Sequence, residues 1–264
     1  MLDKSTNVII LAAGSGTRLK HLTESRPKCL VQFLGKPLIL HQLETYRKAD
    51  LQNITIVGGY YAESLQITGI KIIINERYAE TNMVYSLFCA EQSMIRGSDL
   101  IISYGDIVFE LRILEALMKS NAPLNVVVDR NWLSLWRERM DNPLEDAETL
   151  RLSKENRILE LGNKPDSYEE IEGQYIGLIK VSADHISSFI SSWRQLDRDK
   201  MYNCKNADNM YMTSFLQHLI DSGWDARAVF TDGGWLEIDT VEDITRYEYL
   251  QSKCLLQKYY DHQK

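Results

Sequence analysis

Five short apolar runs, each closing on small or acidic residues, constrain this chain more than any other feature. They are "NVIILAA" (Asn7–Ala13), "NITIVGG" (Asn53–Gly59), "IKIIIN" (Ile70–Asn75), "DLIISYGD" (Asp99–Asp106) and "LNVVVD" (Leu124–Asp129). They are nearly continuous in β-branched residues rather than alternating, the pattern of strands buried on both faces of a parallel sheet. Stretches of helical spacing separate them: Leu38, His41, Gln42, Tyr46 and Ala49; then Val84, Leu87, Phe88 and Glu91 behind a Thr81 or Asn82 cap; then Glu110–Ser120. Strand and helix in alternation imply right-handed crossovers and a doubly wound α/β sheet.

After Asp129 the rhythm changes. Asn131–Leu150 reads as irregular and rich in tryptophan and charge. "ETLRLS", "RILELG" and "GQYIGLIKV" (Gly173–Val181) read as antiparallel strands, followed by helices near Ala183–Leu196 and Asn209–Ser222. "ARAVF" and "WLEID" are expected to close the sheet, and a helix begins at Val241. The expectation is one domain over 1–264, with 1–130 and 223–264 as a nucleotide-binding core and 131–222 as an inserted acceptor-binding lobe. The C-terminal "EYLQSKCLLQKYYDHQK" fits its own sheet or a second copy in a homodimer equally well.

The charge balance is acidic, 30 Lys+Arg against 37 Asp+Glu, which argues against a nucleic-acid binder. No apolar stretch is long enough to span a bilayer, and Met1–Asn7 lacks the order of a signal peptide. The four cysteines, Cys29, Cys89, Cys204 and Cys254, form no CxxC pair and read as reduced thiols. A cytoplasmic protein is expected.

Positive charge nonetheless concentrates in "LAAGSGTRLKHLTESRPKCL" (Leu11–Leu30), beyond the carboxyl end of the first strand, where open α/β sheets bind ligands. Gly14 and Gly16 allow the backbone N–H groups to approach phosphate oxygens. Arg18 adds a planar fork and Lys28 a point charge. A triphosphate is the ligand this local cluster suits. The loop is neither a dinucleotide fingerprint, since Leu19 holds the third glycine's place, nor a Walker loop. An oxidoreductase would also need an acidic residue about 20 positions beyond the loop, and "PKCLVQFLGKPLI" has none. Phosphoryl chemistry on a nucleoside triphosphate usually requires Mg²⁺, held by one or two carboxylates plus phosphates. Asp106, after Gly105 and Tyr104, and Asp239, ending "GWLEIDT", are the acids at strand ends; Glu237 shares a face with Asp239 under strand alternation.

The Leu11–Leu30 stretch with "GKPLI" (Gly35–Ile39) closely resembles the signature of nucleotidyltransferases that activate sugar phosphates and related phosphate esters, departing at His21, where that family usually carries proline. The resemblance implies a Rossmann-like nucleotidyltransferase fold in which Leu11, Ala12, Ala13, Gly14, Ser15 and Gly16 wrap base and phosphates. Arg18 and Lys28 would stabilise charge on the α-phosphate and departing pyrophosphate, with Mg²⁺ on Asp106 and Asp239. "NERYAETNMVYSLFCA" (Asn75–Ala90) is similar to bacterial phosphocholine cytidylyltransferases and implies CTP, with Asn82, Tyr85 and Ser86 facing the cleft and Gly58, Gly59 and Tyr60 near the base. "NPLEDAET", "IEGQYIGL" and "NMYMTSFLQ" resemble the branch that activates phosphoamides such as phosphoglutamine for surface-polysaccharide decoration.

For the acceptor, the resemblance points to Lys164 in "LGNKPDSY" and Gly177 in "GQYIGLI". Trp132, Trp136, Tyr168, Tyr175, Tyr202 and Tyr211, with Glu145, Asp146 and Glu148 nearby, supply the rings and carboxylates a quaternary ammonium needs. Acids and amides would suit an amino-acid-like acceptor as well. The alternatives are a sugar-1-phosphate nucleotidyltransferase using UTP or dTTP and a non-catalytic nucleotide sensor.

Overall fold

In the computed structural model, residues 6–262 are described; residues 1–5 of the polar N-terminal stretch and the last two of the C-terminal segment lie outside them. The strands are β1 (Thr6–Ala12), β2 (Gln32–Phe33), β3 (Lys36–Pro37), β4 (Asn53–Gly58), β5 (Lys71–Ile74), β6 (Asp99–Tyr104), β7 (Ile107–Phe109), β8 (Leu124–Asp129), β9 (Leu150–Leu152), β10 (Ile158–Leu161), β11 (Gln174–Val181), β12 (Ala226–Thr231) and β13 (Trp235–Glu237). The helices are α1 (Leu38–Lys48), α2 (Met83–Cys89), α3 (Leu111–Lys119), α4 (Trp132–Arg139), α5 (Ile186–Arg194), α6 (Met212–Asp221) and α7 (Val241–Ser252).

The main sheet has seven strands in the order β12-β8-β11-β6-β1-β4-β5. β1 pairs in parallel with both β4 and β6, β4 with β5, and β8 with β12. Alternation along β1 sends Val8 and Ile10 into one core and Ile9 and Leu11 into the other, so apolar layers cover both faces. That double burial is why β1, β4, β6 and β8 lack a polar face. β5, at the sheet edge, is not buried as its apolar run suggested, with Ile72 and Ile73 half-buried and Ile74 exposed, and the sheet is a doubly wound, mainly parallel one as expected.

Three local expectations are corrected. β11, within the stretch read as the lobe, is an antiparallel strand of the main sheet between β6 and β8. The chain therefore returns to the core in the middle of 131–222; β9 and β10 form a separate two-stranded ladder. "WLEID" does not close the main sheet, because β13 pairs antiparallel with β7 in a small ladder of its own. The stretch read as irregular contains α4, whose buried Trp132, Leu135 and Trp136 lie at helical spacing. Its charged residues obscured the period, and one of them, Arg139, turns inward.

The register of β11 shifts between Tyr175 and Ile179. Gly177 sits in this bulge at φ +82°, and a Cβ there would stand 2.7 Å from the Tyr104 ring. α7 starts with a complete capping box, Thr240 and Asp243 each accepting the other's backbone N–H. Among the described residues no helix is long and apolar enough to cross a membrane, and all four cysteines are free.

Candidate active site

The carboxyl ends of β1 and β6 open onto a cavity of about 260 Å³, lined among others by Leu11, Ala12, Ala13, Gly14, Gly16, Arg18 and Lys28. Gly16 is left-handed at φ +61°, and a Cβ there would stand 2.9 Å from the Lys28 Cβ, so glycine lets the loop fold down over the lysine. Thr23 donates its hydroxyl to the Gly16 carbonyl at 3.0 Å and fixes the turn. The loop runs into a 3₁₀ segment broken at Lys20, φ +51° and ψ −122°, next to His21.

Four charged groups from three distant parts of the chain, Arg18 and Lys28, Asp106, and Asp239, meet on this wall. Lys28 Nζ donates to Asp106 Oδ2 at 2.8 Å and to Asp239 Oδ1 at 2.6 Å. Arg18 Nη1 pairs with Asp239 Oδ2. Burial alone would lower the Lys28 pKa, but Asp106, Asp239 and Glu237 outweigh it and raise it well above the usual lysine range. Lys28 therefore stays cationic at any working pH. The neighbouring Cys29 thiol is pushed up to about 12, chiefly by burial, and is no nucleophile.

Asp106 and Asp239 fit a hard divalent cation. They come from different elements onto one nitrogen, and Asp106 Oδ1 is buried with no hydrogen-bond partner. Two protein carboxylates are the donor set Mg²⁺ takes when substrate phosphates complete its shell.

The opposite wall is built by α2 and the turn before it: Tyr78, Thr81, Asn82, Met83 and Ser86. Asn82 caps α2 through Oδ1, which accepts from Met83 N at 2.8 Å. Asn75 Nδ2 donates to the Ser86 hydroxyl at 2.9 Å, locking the helix to the end of β5. Of the expected nucleotide residues, Tyr104 and Gly105 line this cavity. Ser15, Gly59 and Tyr85 do not. Gly59 lies behind the loop, where a Cβ would meet Tyr78 and the Ala13 carbonyl. Tyr85 points to the far side of α2, under the Arg77 guanidinium.

A second chamber of about 250 Å³ adjoins the first, and Arg18, Met83 and Tyr104 line both. Its remaining wall includes Trp136, Tyr175, Tyr211 and Trp235 with Asp146, Glu148 and Glu237. Gly177 belongs to it as well, beneath the Tyr104 ring, which meets the Tyr175 ring edge-on at 5.6 Å. Glu148 accepts from Thr213 Oγ1 at 3.4 Å, and burial first, then Asp146 and Glu237, pushes its pKa up to about 7. Burial also raises Glu237, against the pull of Arg139.

Two expected acceptor residues lie elsewhere. Lys164 is exposed in the turn after β10, and Glu145 is exposed on the surface, accepting from Asn142 at 3.1 Å. Trp132 and Tyr202 are buried in the core and Tyr168 lies against Trp132, so Trp136, Tyr175 and Tyr211 are the expected rings that reach the chamber. Sequence reading missed Trp235, although period-two spacing puts Trp235, Glu237 and Asp239 on one face. It also did not single out Thr213, although "NMYMTSFLQ" contains it, and missed Arg139, for which no local signal existed.

The glycine loop over a buried lysine, the two carboxylates past strand ends and the adjoining acidic, ring-lined chamber belong to a nucleotidyltransferase. The chain belongs to the MobA-like NTP transferase domain family, whose model matches residues 8–162. It is 45% identical over 247 residues to the CTP:phosphoglutamine cytidylyltransferase of Campylobacter jejuni, covering 90% of this chain and 97% of that one. Over 90 residues it is 40% identical to the choline-phosphate cytidylyltransferase of Streptococcus pneumoniae, 33% of this chain and 39% of that one. The inositol-1-phosphate CTP transferase from T. maritima shares the fold at a TM-score of 0.71 and 20% identity, over 96% of this chain and 95% of that one.

Proposed function

We propose that the chain is a cytidylyltransferase that transfers CMP from CTP to a small phosphorylated acceptor bearing an ammonium group, of the phosphoglutamine or phosphocholine kind, and releases pyrophosphate. The observation that carries this is the second chamber. It places Asp146, Glu148 and Glu237 among Trp136, Tyr211 and Trp235, with Arg18 on the side that faces the nucleotide cavity. Carboxylates and ring faces attract an ammonium, and an arginine at the shared wall suits the acceptor's phosphate. Arg139 pairs with Glu237 and stands 3.9 Å from Asp146, and Glu148 accepts from Thr213, yet three acids against that guanidinium keep the chamber acidic, which suits an ammonium better than a neutral sugar. The 45% identity to a CTP-dependent relative supports the nucleotide.

In this reading the glycine loop and α2 hold CTP in the first cavity, and Tyr104 and Met83 set the acceptor beside it. An acceptor phosphate oxygen attacks the α-phosphorus as the bond to pyrophosphate breaks, and positioning with charge neutralisation provides most of the acceleration. Arg18 and Lys28 supply permanent positive charge where the triphosphate lies. Asp106 and Asp239 would hold Mg²⁺, which when bound neutralises phosphate charge. The product is the activated donor that a transferase decorating a surface polysaccharide would consume.

Pyrophosphate release tests this with CTP, UTP and dTTP against phosphoglutamine, phosphocholine, 2-aminoethylphosphonate and glucose 1-phosphate. Turnover with CTP and an ammonium-bearing acceptor is expected. Turnover confined to glucose 1-phosphate with UTP or dTTP would overturn the reading.

A further inference from the structure

One buried guanidinium joins the two chambers from behind. Arg139, the last residue of α4, has a side chain only 3% exposed. Its Nε donates to Asp243 Oδ1 at 3.0 Å and its Nη2 to Asp243 Oδ2 at 3.4 Å, a two-point grip. Its Nη1 donates to Glu237 Oε2 at 2.7 Å and lies 3.9 Å from Asp146 Oδ2. The guanidinium carbon sits 5.3 Å from the centre of the Trp136 ring. Asp146, Glu237 and Trp136 all line the acceptor chamber.

Asp243 carries the connection onward. Its Oδ2 accepts the backbone N–H of Asp239 at 3.0 Å and of Thr240 at 2.9 Å. Thr240 Oγ1 accepts from Asp243 N at 3.0 Å, so the capping box clamps the backbone that presents the Asp239 carboxylate to Lys28. One planar fork therefore holds the start of α7, and through it Asp239, while also holding three residues of the acceptor wall. A lysine has the charge but not the fork, and cannot make all these contacts in fixed directions.

We propose that Arg139 is a positioning residue that locks the acceptor chamber to the Asp239 carboxylate, so that an acceptor seated on Trp136, Asp146 and Glu237 is aligned with the reacting phosphate. The inference rests on the function proposed above for the same two chambers. It assigns Arg139 no contact with either substrate.

The full-length protein and the variants Arg139→Lys, Arg139→Ala and Asp243→Asn test it, each checked for folding by circular dichroism and melting. In Arg139→Ala, kcat is expected to fall about a hundredfold and acceptor KM to rise, while CTP KM stays within about twofold, because misplacement near the reacting centre costs rate far more than nucleotide binding. Guanidinium ion added to that variant should restore part of kcat, and ammonium should not. Arg139→Lys should fold and still lack kcat. Asp243→Asn should lower kcat with acceptor KM unchanged, since Arg139 then keeps Glu237 and Asp146.

Wild-type kcat and acceptor KM in Arg139→Lys would overturn the proposal. So would a loss that tracks the unfolded fraction, moves both KM values together and ignores guanidinium. If Arg139→Ala does not fold, the Arg139→Lys and Asp243→Asn pair still reads the same split. Failure of the wild type to use CTP sinks the functional reading alone; the variant ratios are then taken with the triphosphate it does accept.

Discussion

Replacing Glu148 with glutamine should make the protein more stable and less able to bind its acceptor. Glu148 carries its carboxyl in a chamber it shares with Asp146 and Glu237, and burial with these two neighbours moves its pKa from the ordinary 4.5 up to about 7. A carboxyl whose folded value is raised contributes stability that is fully present below pH 4.5 and lost as pH rises through about 7. An offset of this size corresponds to about 3 kcal/mol at alkaline pH. Glu148 remains partly exposed, and solvent screening reduces the expected cost to about 1–2 kcal/mol. Glutamine keeps the shape and can still accept from Thr213, without the charge. Melting of Glu148→Gln should therefore match the wild type near pH 5 and exceed it at pH 8 by a few degrees. Acceptor KM should rise in the variant at pH 8. In the wild type it should be about tenfold higher at pH 6 than at pH 8, following the ionised fraction of a group titrating near 7. Equal melting of variant and wild type at both pH values, with an unchanged acceptor KM, would refute the reasoning.

Asp106→Asn is expected to fold and melt normally but lose at least about a hundredfold in Mg²⁺-supported turnover, since a hard cation loses an anionic ligand; near-normal pyrophosphate release would remove Asp106 from the metal assignment. Lys28→Met leaves Asp106 and Asp239 facing each other without their shared cation. It should cost about 3–5 kcal/mol in urea unfolding, part of it recovered by added Mg²⁺, and absence of any metal-dependent recovery would count against the site. Gly177→Ala drives a Cβ to 2.7 Å from the Tyr104 ring at φ +82°; destabilisation of about 1–3 kcal/mol and a raised acceptor KM are expected from melting and steady-state rates.

The parallel part of the fold was legible because its strands are apolar, β-branched runs, which are buried in β1, β4, β6 and β8 and left partly exposed in the edge strand β5. β1, β4, β5, β6 and β8 lie where apolar runs put them, and α1, α2 and α3 where spacing did. On the candidate site, the convergence of the glycine loop with the strand-end acids Asp106 and Asp239 was legible for the same reason, since all line the cavity beyond the carboxyl ends of β1 and β6. β11 was recognisable as a strand but not as a member of the main sheet, because pairing partners 75 to 81 residues apart leave no mark in local periodicity. α4 was hidden by its charged residues, whose meaning depends on what they face.

Along the chain, then, local chemistry determined which segments extend, which coil and which loop suits phosphate, since steric preference and apolar patterning act over a few residues. Long-range packing alone decided that Lys28 stands between two distant carboxylates, that Lys164 and Glu145 face solvent while Glu148 and Trp235 face the second chamber, and that Arg139 is buried. Coulombic interaction and desolvation depend on separations in space, and those exist only once the helices have closed over the sheet.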